Sequence, residues 1–154
     1  MRRNMVLVNP LAAIFNVFSG EYERAVSPST TLGAAGTYYG FTDDNYDYST
    51  VEIKLRYYPQ EQALSGFSIG ASAGATRVST DLLCSGSGSG YSCKNDPGTQ
   101  PTLGIELDYN WLLGPSRRFA VGTGIGAKRL LGTSADYSGL KALPTGRLSV
   151  GLAF

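Results

Sequence analysis

The sequence predicts an all-β fold, a closed antiparallel up-and-down β-barrel of eight strands. Three observations support this fold class: segments in which apolar and polar residues alternate strictly, connections that are short and long in turn, and a composition suited to strands and turns. The 154 residues include 20 Gly and 10 Tyr, and only 16% are charged, against about 25% in an average protein. A chain of this length is expected to form a single domain, residues 1–154.

The clearest strand is residues 51–58, where odd-numbered positions are apolar and Glu52, Lys54 and Arg56 alternate with them. Alternation with a period of two gives a strand one apolar and one polar face. The other predicted strands are residues 5–8, 17–26, 31–41, 66–78, 101–113, 119–131 and 143–154. The segment 5–8 is the weakest of these. It is needed because a last strand that runs down to the periplasmic side requires an even total of eight strands.

The connections between these strands differ in length by position. Those at 27–30, 59–65 and 114–117 are short, whereas those at 42–49, 79–100 and 132–142 are longer. All the short connections then fall at one end of the barrel. Outer-membrane barrels have this asymmetry, with short periplasmic turns and longer outer loops.

Periodicity alone does not decide which face of the strands is buried, but the aromatic residues favour one orientation. One band, near the short connections, contains Tyr22, Tyr57, Phe67, Trp111, Phe119 and Phe154. A second band, near the long connections, contains Tyr38, Tyr39, Phe41, Tyr46, Tyr48 and Tyr137. Aromatic rings concentrate at the two interfaces of a bilayer, so the pattern predicts a transmembrane barrel with an aromatic girdle and an outward apolar face.

The polar face carries nine charged residues, five acidic and four basic. They are Glu21, Glu23, Glu52, Lys54, Arg56, Glu106, Asp108, Lys128 and Arg147. Facing inward, near-balanced charges are expected to pair and so reduce the cost of burial. Since eight strands leave room inside for little more than side chains, this network predicts a plugged lumen and no diffusion pore.

Two other interpretations remain open at this stage. The charged face would be solvated in a soluble, lipocalin-like barrel that binds a small apolar ligand in its interior. A third interpretation is an extracellular or membrane assembly in which barrels associate through their apolar walls. Small outward residues at Ala71, Ala73 and Ala75 support self-association, since small side chains let backbones approach closely.

Two motifs carry a resemblance to a known family. Residues 20–25 read Gly-Glu-Tyr-Glu-Arg-Ala, and residues 147–154 read Arg-Leu-Ser-Val-Gly-Leu-Ala-Phe. Over nearly its whole length the chain resembles the small outer-membrane β-barrels of the OmpA and OmpX type, without a periplasmic domain. The resemblance implies the outer membrane of a Gram-negative-type bacterium, contact with outer-membrane lipid, and reading of Phe154 by the barrel-assembly machinery. Anchoring to the cell wall is not implied.

Several kinds of chemistry are not expected. The sequence contains no His, the usual base of lipid- or peptide-cleaving barrels, so no enzymatic activity, catalytic residue or cofactor is predicted. With two Cys and no His the usual tetrahedral metal site is incomplete. The net charge of +1 gives no basic excess for a nucleic-acid partner.

Two further features concern the long-loop end. Cys84 and Cys93 bracket a Gly/Ser-rich stretch and are expected to form a disulfide, as in an oxidising compartment, although two unrelated loop thiols fit the same spacing. Arg77 and Arg129 lie on the outward parity, where they would meet lipopolysaccharide phosphates or extend to the interface.

Overall fold

The computed structural model describes residues 2–14, 16–40, 46–80, 98–131 and 142–154. Side chains are described for these residues except 39–40, 46–48, 78–80 and 98. The predicted disulfide between Cys84 and Cys93 lies outside this part of the chain. So do Phe41 and Tyr137 of the second predicted aromatic band.

Eight strands form a closed barrel in which each pairs with its neighbours in sequence and the last pairs with the first. All pairings are antiparallel. The strands are β1 (Asn4–Val8), β2 (Val17–Ala25), β3 (Thr30–Gly40), β4 (Tyr46–Tyr57), β5 (Gly66–Thr80), β6 (Gly98–Leu113), β7 (Phe119–Leu130) and β8 (Leu143–Ala153). The predicted fold class, an all-β, closed antiparallel up-and-down barrel of eight strands, is confirmed.

Three strand ends were placed wrongly by the alternation. β4 begins at Tyr46, β5 ends at Thr80 and β6 begins at Gly98, so the connections before β4 and before β6 are shorter than the sequence pattern indicates. Tyr46 lies opposite Thr80 in the ladder between β4 and β5. The pairing continues because backbone hydrogen bonds do not require an apolar face, whereas the alternation stops where the apolar residues stop.

A short helix, α1 (Pro10–Ile14), follows β1 and was not predicted. Asn9 caps it, since its side-chain Oδ1 accepts hydrogen bonds from the backbone N–H groups of Leu11 and Ala12, both at 3.1 Å. Asn is a favoured N-cap residue and Pro a favoured first helical residue, so the pair Asn9-Pro10 is the signal that the sequence offers. Among the described residues, no helix is long and apolar enough to cross a membrane.

On the strands that alternate apolar and charged residues, the apolar face points outward and the charged face inward. On β4, Val51 and Ile53 are 68% and 62% exposed, whereas Glu52 is 4% exposed and Arg56 is 0%. A barrel that holds an apolar ligand in its interior requires the opposite arrangement. The lipocalin-like interpretation is therefore wrong for this chain.

The six residues of the predicted aromatic girdle, all exposed, lie at or near the ends of strands on the short-turn side. They are Tyr22, Tyr57, Phe67, Trp111, Phe119 and Phe154. In the second band only Tyr38 has a described side chain, and it is exposed. Phe18, near the long-loop end of β2, is 67% exposed and was missed as a member of that band.

A small apolar cluster also lies inside the barrel, which the alternation did not indicate. It consists of Met5, Leu7, Leu64, Ala120 and Ala153. Leu64 belongs to the connection between β4 and β5 and has a positive φ of 74°, so this short turn folds inward under the barrel. Its side chain is fully buried.

Candidate site in the barrel interior

Arg56 is the centre of the interior charge network. Its Nε donates to Asp108 Oδ2 at 2.8 Å, its Nη1 donates to Glu23 Oε2 at 2.9 Å, and its Nη2 lies 2.7 Å from Glu106 Oε1. Nη1 also donates to Glu21 Oε1. A planar guanidinium has donors in several directions in one plane, so one arginine here joins carboxylates from two walls of the barrel.

Two further cations extend the network around Arg56. Lys54 Nζ donates to Glu21 Oε2 at 3.1 Å and to Glu106 Oε2 at 3.0 Å. Arg147 Nη1 donates to Asp108 Oδ1 at 3.0 Å. These bonds connect β2, β4, β6 and β8 across the lumen.

The two remaining charged residues, Glu52 and Lys128, form a separate pair nearer the long-loop end. Lys128 Nζ lies 2.7 Å from each carboxylate oxygen of Glu52. Thus all nine residues that the sequence placed on the inward parity lie inside the barrel. Every carboxylate among them contacts at least one cation.

The period of the strands and two glycines explain why these side chains meet. Charged residues recur at every second position of β2, β4 and β6, so each strand presents its charges in one inward column. A Cβ atom at Gly70 would lie 2.7 Å from Glu106 Cγ, and one at Gly124 would collide with the carboxylate of Asp108. Glycine at these positions leaves the volume that the charged side chains occupy.

Neutral residues complete the lower part of the network, and these were missed as site residues. Tyr58 Oη donates to Glu23 Oε1 at 2.7 Å and accepts from Asn110 Nδ2 at 3.1 Å. Thr31 Oγ1 also donates to Glu23 Oε1. Tyr58 continues the inward parity of Lys54 and Arg56, so the alternation itself contained the signal for it.

The side chains of the network are more deeply buried near the short-turn end than near the long-loop end. Arg56 has no exposed side-chain surface, whereas 14% of Arg147 and 22% of Lys128 is exposed. A cavity of about 120 Å³ lies beside these two residues. No group of three or more His, Cys, Asp or Glu in the described ranges is arranged to hold a metal ion.

The other predicted sites lie on the outer wall. Ala71, Ala73 and Ala75 are exposed on the outer face of β5. Arg77 and Arg129 are exposed toward the long-loop ends of β5 and β7. None of these side chains contributes to the interior network.

Comparison of the sequence with protein-family models and with curated proteins gives no match. Among solved structures, the chain is similar to the N-terminal β-barrel domain of Pseudomonas aeruginosa OprF. The two share 12% sequence identity with a TM-score of 0.57, over 100% of this chain and 98% of that one. The sequence motifs predicted a resemblance to small outer-membrane barrels. The match confirms this resemblance at the level of the fold, because the OprF domain is also an eight-stranded barrel.

Proposed function

We propose that the chain is a non-enzymatic β-barrel of a Gram-negative-type outer membrane, with a structural or surface-interaction role. The observation that supports this most directly is the combination of an exposed apolar wall with buried charges, as on β4. Exposed apolar side chains occur on every strand of the barrel, which is costly in water and favourable in lipid. The exposed aromatic girdle on the short-turn side supports the same orientation.

Membrane insertion is tested by the free-energy cost of a charged side chain, which depends on its depth in the bilayer. Ile53→Arg places a charge in the middle of the apolar wall, and the expected cost of folding into vesicles is about 2–4 kcal/mol. Thr99→Arg is the matched control, because Thr99 is exposed near the long-loop end of β6 and the expected cost there is about 0–1 kcal/mol. Urea titration of the chain refolded in vesicles measures both.

The wild-type protein should also migrate differently on electrophoresis in dodecyl sulfate with and without boiling, as folded barrels resist the detergent until heated. A detergent-free, soluble monomer with equal tolerance of both arginine variants would contradict the proposal.

The lumen is proposed to be plugged, so conductance across the barrel should be slight. The proposal is supported by Arg56, whose four carboxylate partners lie on β2 and β6 across the lower lumen, and by Leu64, which lies in the interior apolar cluster. Single-channel recording in planar bilayers is the measurement. Stable, large ion currents through the wild-type protein would exclude a plugged lumen.

Self-association through β5 is a second proposal. Ala73 lies opposite Ile53 on β4 and Leu103 on β6, so the alanines form a shallow depression between two rows of larger apolar side chains. We expect crosslinking of Ala73→Cys to trap dimers, whereas Ile125→Cys, on the outer face of β7, should give monomers. Monomers from both variants would remove this proposal.

Two further contacts are also proposed, the first from the outward position of two arginines and the second from the family resemblance. Arg77 and Arg129 are expected to contact lipopolysaccharide phosphates, and their replacement by Gln should weaken binding of lipopolysaccharide to the refolded barrel. Phe154 is expected to be read by the barrel-assembly machinery, so Phe154→Ala should lower the yield of folded barrel in cells more than refolding in vitro.

A further inference from the structure

The short-turn end of the barrel carries an unbalanced positive charge. Five arginines lie there, and all but the half-buried Arg2 are exposed: Arg2, Arg3, Arg24, Arg117 and Arg118. Outside the interior network, the described residues at this end include one acidic residue, Glu61. All ion pairs in the described part of the chain join members of the interior network. Within that part, the five arginines are therefore unpaired.

Hydrogen bonds to the backbone hold two of these arginines in place. Arg3 lies between β8 and β2, because its N–H donates to the Phe154 carbonyl at 3.2 Å and its carbonyl accepts from the Ala25 N–H at 2.7 Å. Arg2 reaches the turn after β6, where its Nε and Nη2 donate to the Ser116 carbonyl at 3.2 and 2.8 Å. A guanidinium has five N–H donors, so Arg2 keeps donors for a further partner.

A cavity of about 820 Å³, which we call the vestibule, lies at this end of the barrel. Its walls come from the turns after β2, β4 and β6 together with Arg2 and Arg3. Arg117, in the turn after β6, also lines it, so three arginines face one acidic residue, Glu61. The balance is the reverse of that in the interior network, where five acids meet four bases. The vestibule therefore favours an anionic ligand.

The vestibule also has the size and the neutral surface of a site for more than a single ion. Protein sites for organic ligands have volumes of about 300–1,000 Å³, and the vestibule lies within this range. Val26, Leu112 and Pro115 give it apolar surface, while Ser27 and Gln62 give it neutral polar groups. Since guanidinium groups bind carboxylates with two parallel hydrogen bonds, a peptide with acidic side chains matches both kinds of surface.

The position of the vestibule favours a peptide over a lipid headgroup. Ala63 and Ser65 line it, and Leu64 between them is fully buried in the interior apolar cluster. The vestibule is thus enclosed by the turns beneath the lumen. Lipid headgroups are expected at the outer wall, at the level of the aromatic girdle, and no girdle residue lines the vestibule. Its ligand is therefore expected to come from the aqueous compartment on the short-turn side.

We infer that the vestibule is a docking site for an acidic peptide segment of a partner protein, whose carboxylates contact Arg3 and Arg117. The inference rests on the proposed membrane location, which places this end of the barrel in an aqueous compartment beside the bilayer. It goes beyond a structural barrel, because it assigns the short-turn end a protein partner that is recognised by charge.

The test measures fluorescence anisotropy of a dye-labelled hexaglutamate peptide with the full chain in neutral dodecyl maltoside micelles. Wild type should bind one peptide, and added salt should weaken binding because the contacts are between charges. A hexaglutamine peptide with the same dye should not bind. Equal binding of the two peptides, or binding of neither, would overturn the inference.

Variants of the lining arginines locate the site. Arg3→Gln and Arg117→Asn should each weaken hexaglutamate binding by about fivefold. Asn is used at position 117 because Arg117 has a φ of 48°, which Asn tolerates. Glu61→Gln should strengthen binding, since it removes the carboxylate that repels the peptide.

Arg24→Gln is the matched control. Arg24 is exposed at the same end, but it shares the outward parity of Tyr22 on β2 and does not line the vestibule. Its replacement should change the affinity by less than about twofold. An equal loss in Arg24→Gln and Arg3→Gln would indicate a diffuse field of positive charge and would exclude a site in the vestibule.

A lipid ligand is distinguished by competition. Short-chain phosphatidylglycerol and phosphatidylcholine of the same chain length are added in turn, at the concentration of the peptide. Neither should displace it from wild type. Displacement by phosphatidylglycerol alone would identify a lipid headgroup as the ligand and would overturn the assignment to a peptide.

Folding and membrane insertion are measured first, which separates this inference from the proposed function. Heat-dependent migration on electrophoresis checks the fold of each variant, and Arg2→Gln replaces a variant that does not fold. Failure of the wild type to insert into vesicles would contradict the membrane location itself. Normal insertion without selective binding of hexaglutamate would contradict only the docking site in the vestibule.

Discussion

The two halves of the barrel interior differ in how completely they are filled. In the lower half, toward the short turns, Arg56, Glu23 and Tyr58 are fully buried and hydrogen-bonded, with Leu64 also fully buried. In the upper half, Lys128 retains exposed surface beside a cavity. Strand length differs around the barrel, since β4, β5 and β6 are long and β1 is short. The lower half is therefore expected to contribute most of the stability of the barrel, and the upper half is expected to be more accessible to solvent.

The largest expected effect is at Arg56. Arg56→Met leaves Glu23 and Asp108 buried without their main cation, and the expected loss of unfolding free energy is about 3–5 kcal/mol. Urea titration in vesicles measures it. Arg77→Met, on the exposed wall, should change the free energy by less than about 0.5 kcal/mol. Equal losses of unfolding free energy at the two arginines would mean that the interior network of the lower half does not stabilise the barrel more than the exposed wall does.

Leu64→Ala tests the apolar closure of the short-turn end. Removing a fully buried leucine side chain is expected to cost about 2–4 kcal/mol and to raise conductance in planar bilayers, because the cavity it leaves lies at the lower exit of the lumen. Leu113→Ala is the control, since Leu113 is an exposed outward residue at the end of β6. Unchanged conductance in Leu64→Ala would mean that the barrier to ion flow lies higher in the barrel.

Gly74 tests packing in the long-stranded part of the wall. A Cβ there would collide with the backbone of Val51 and Glu52, so Gly74→Ala should destabilise the barrel by about 1–3 kcal/mol. Gly20→Ala, on β2, should be neutral or slightly stabilising because nothing lies within 4 Å of its Cβ. Thermal unfolding in micelles compares them, and a larger loss at Gly20 would reverse the assignment of the tight and open sides.

The smallest effect concerns backbone opening. The amide protons of Gly146 and Leu148 should exchange with solvent at least roughly tenfold faster than those of Ser72 and Ala73, whose strand is paired on both sides. Hydrogen exchange followed by NMR in neutral micelles measures the rates. Comparable protection at Gly146 and Leu148, beyond the end of the β1–β8 ladder, would indicate that a partner already satisfies these groups.

The sequence alone determined the strand pattern, the number of strands and the membership of the charge column. A strand has a side-chain period of two regardless of its neighbours, so Glu52, Lys54 and Arg56 share a face in any pairing. The same local rule missed the extension of β4 to Tyr46, because pairing there depends on the partner strand and not on an apolar residue.

Tertiary structure decided the features that depend on closing the barrel. The alternation is the same whether the apolar face points in or out. The aromatic bands favoured the outward orientation, and closure of the barrel around the charges established it. Three features depend on distances across the lumen or on register: the meeting of Arg56 with carboxylates from β2 and β6, the inward fold of Leu64, and the end of the β1–β8 ladder at Val8. Those distances are set by how eight strands of unequal length join, which no local pattern of residues encodes.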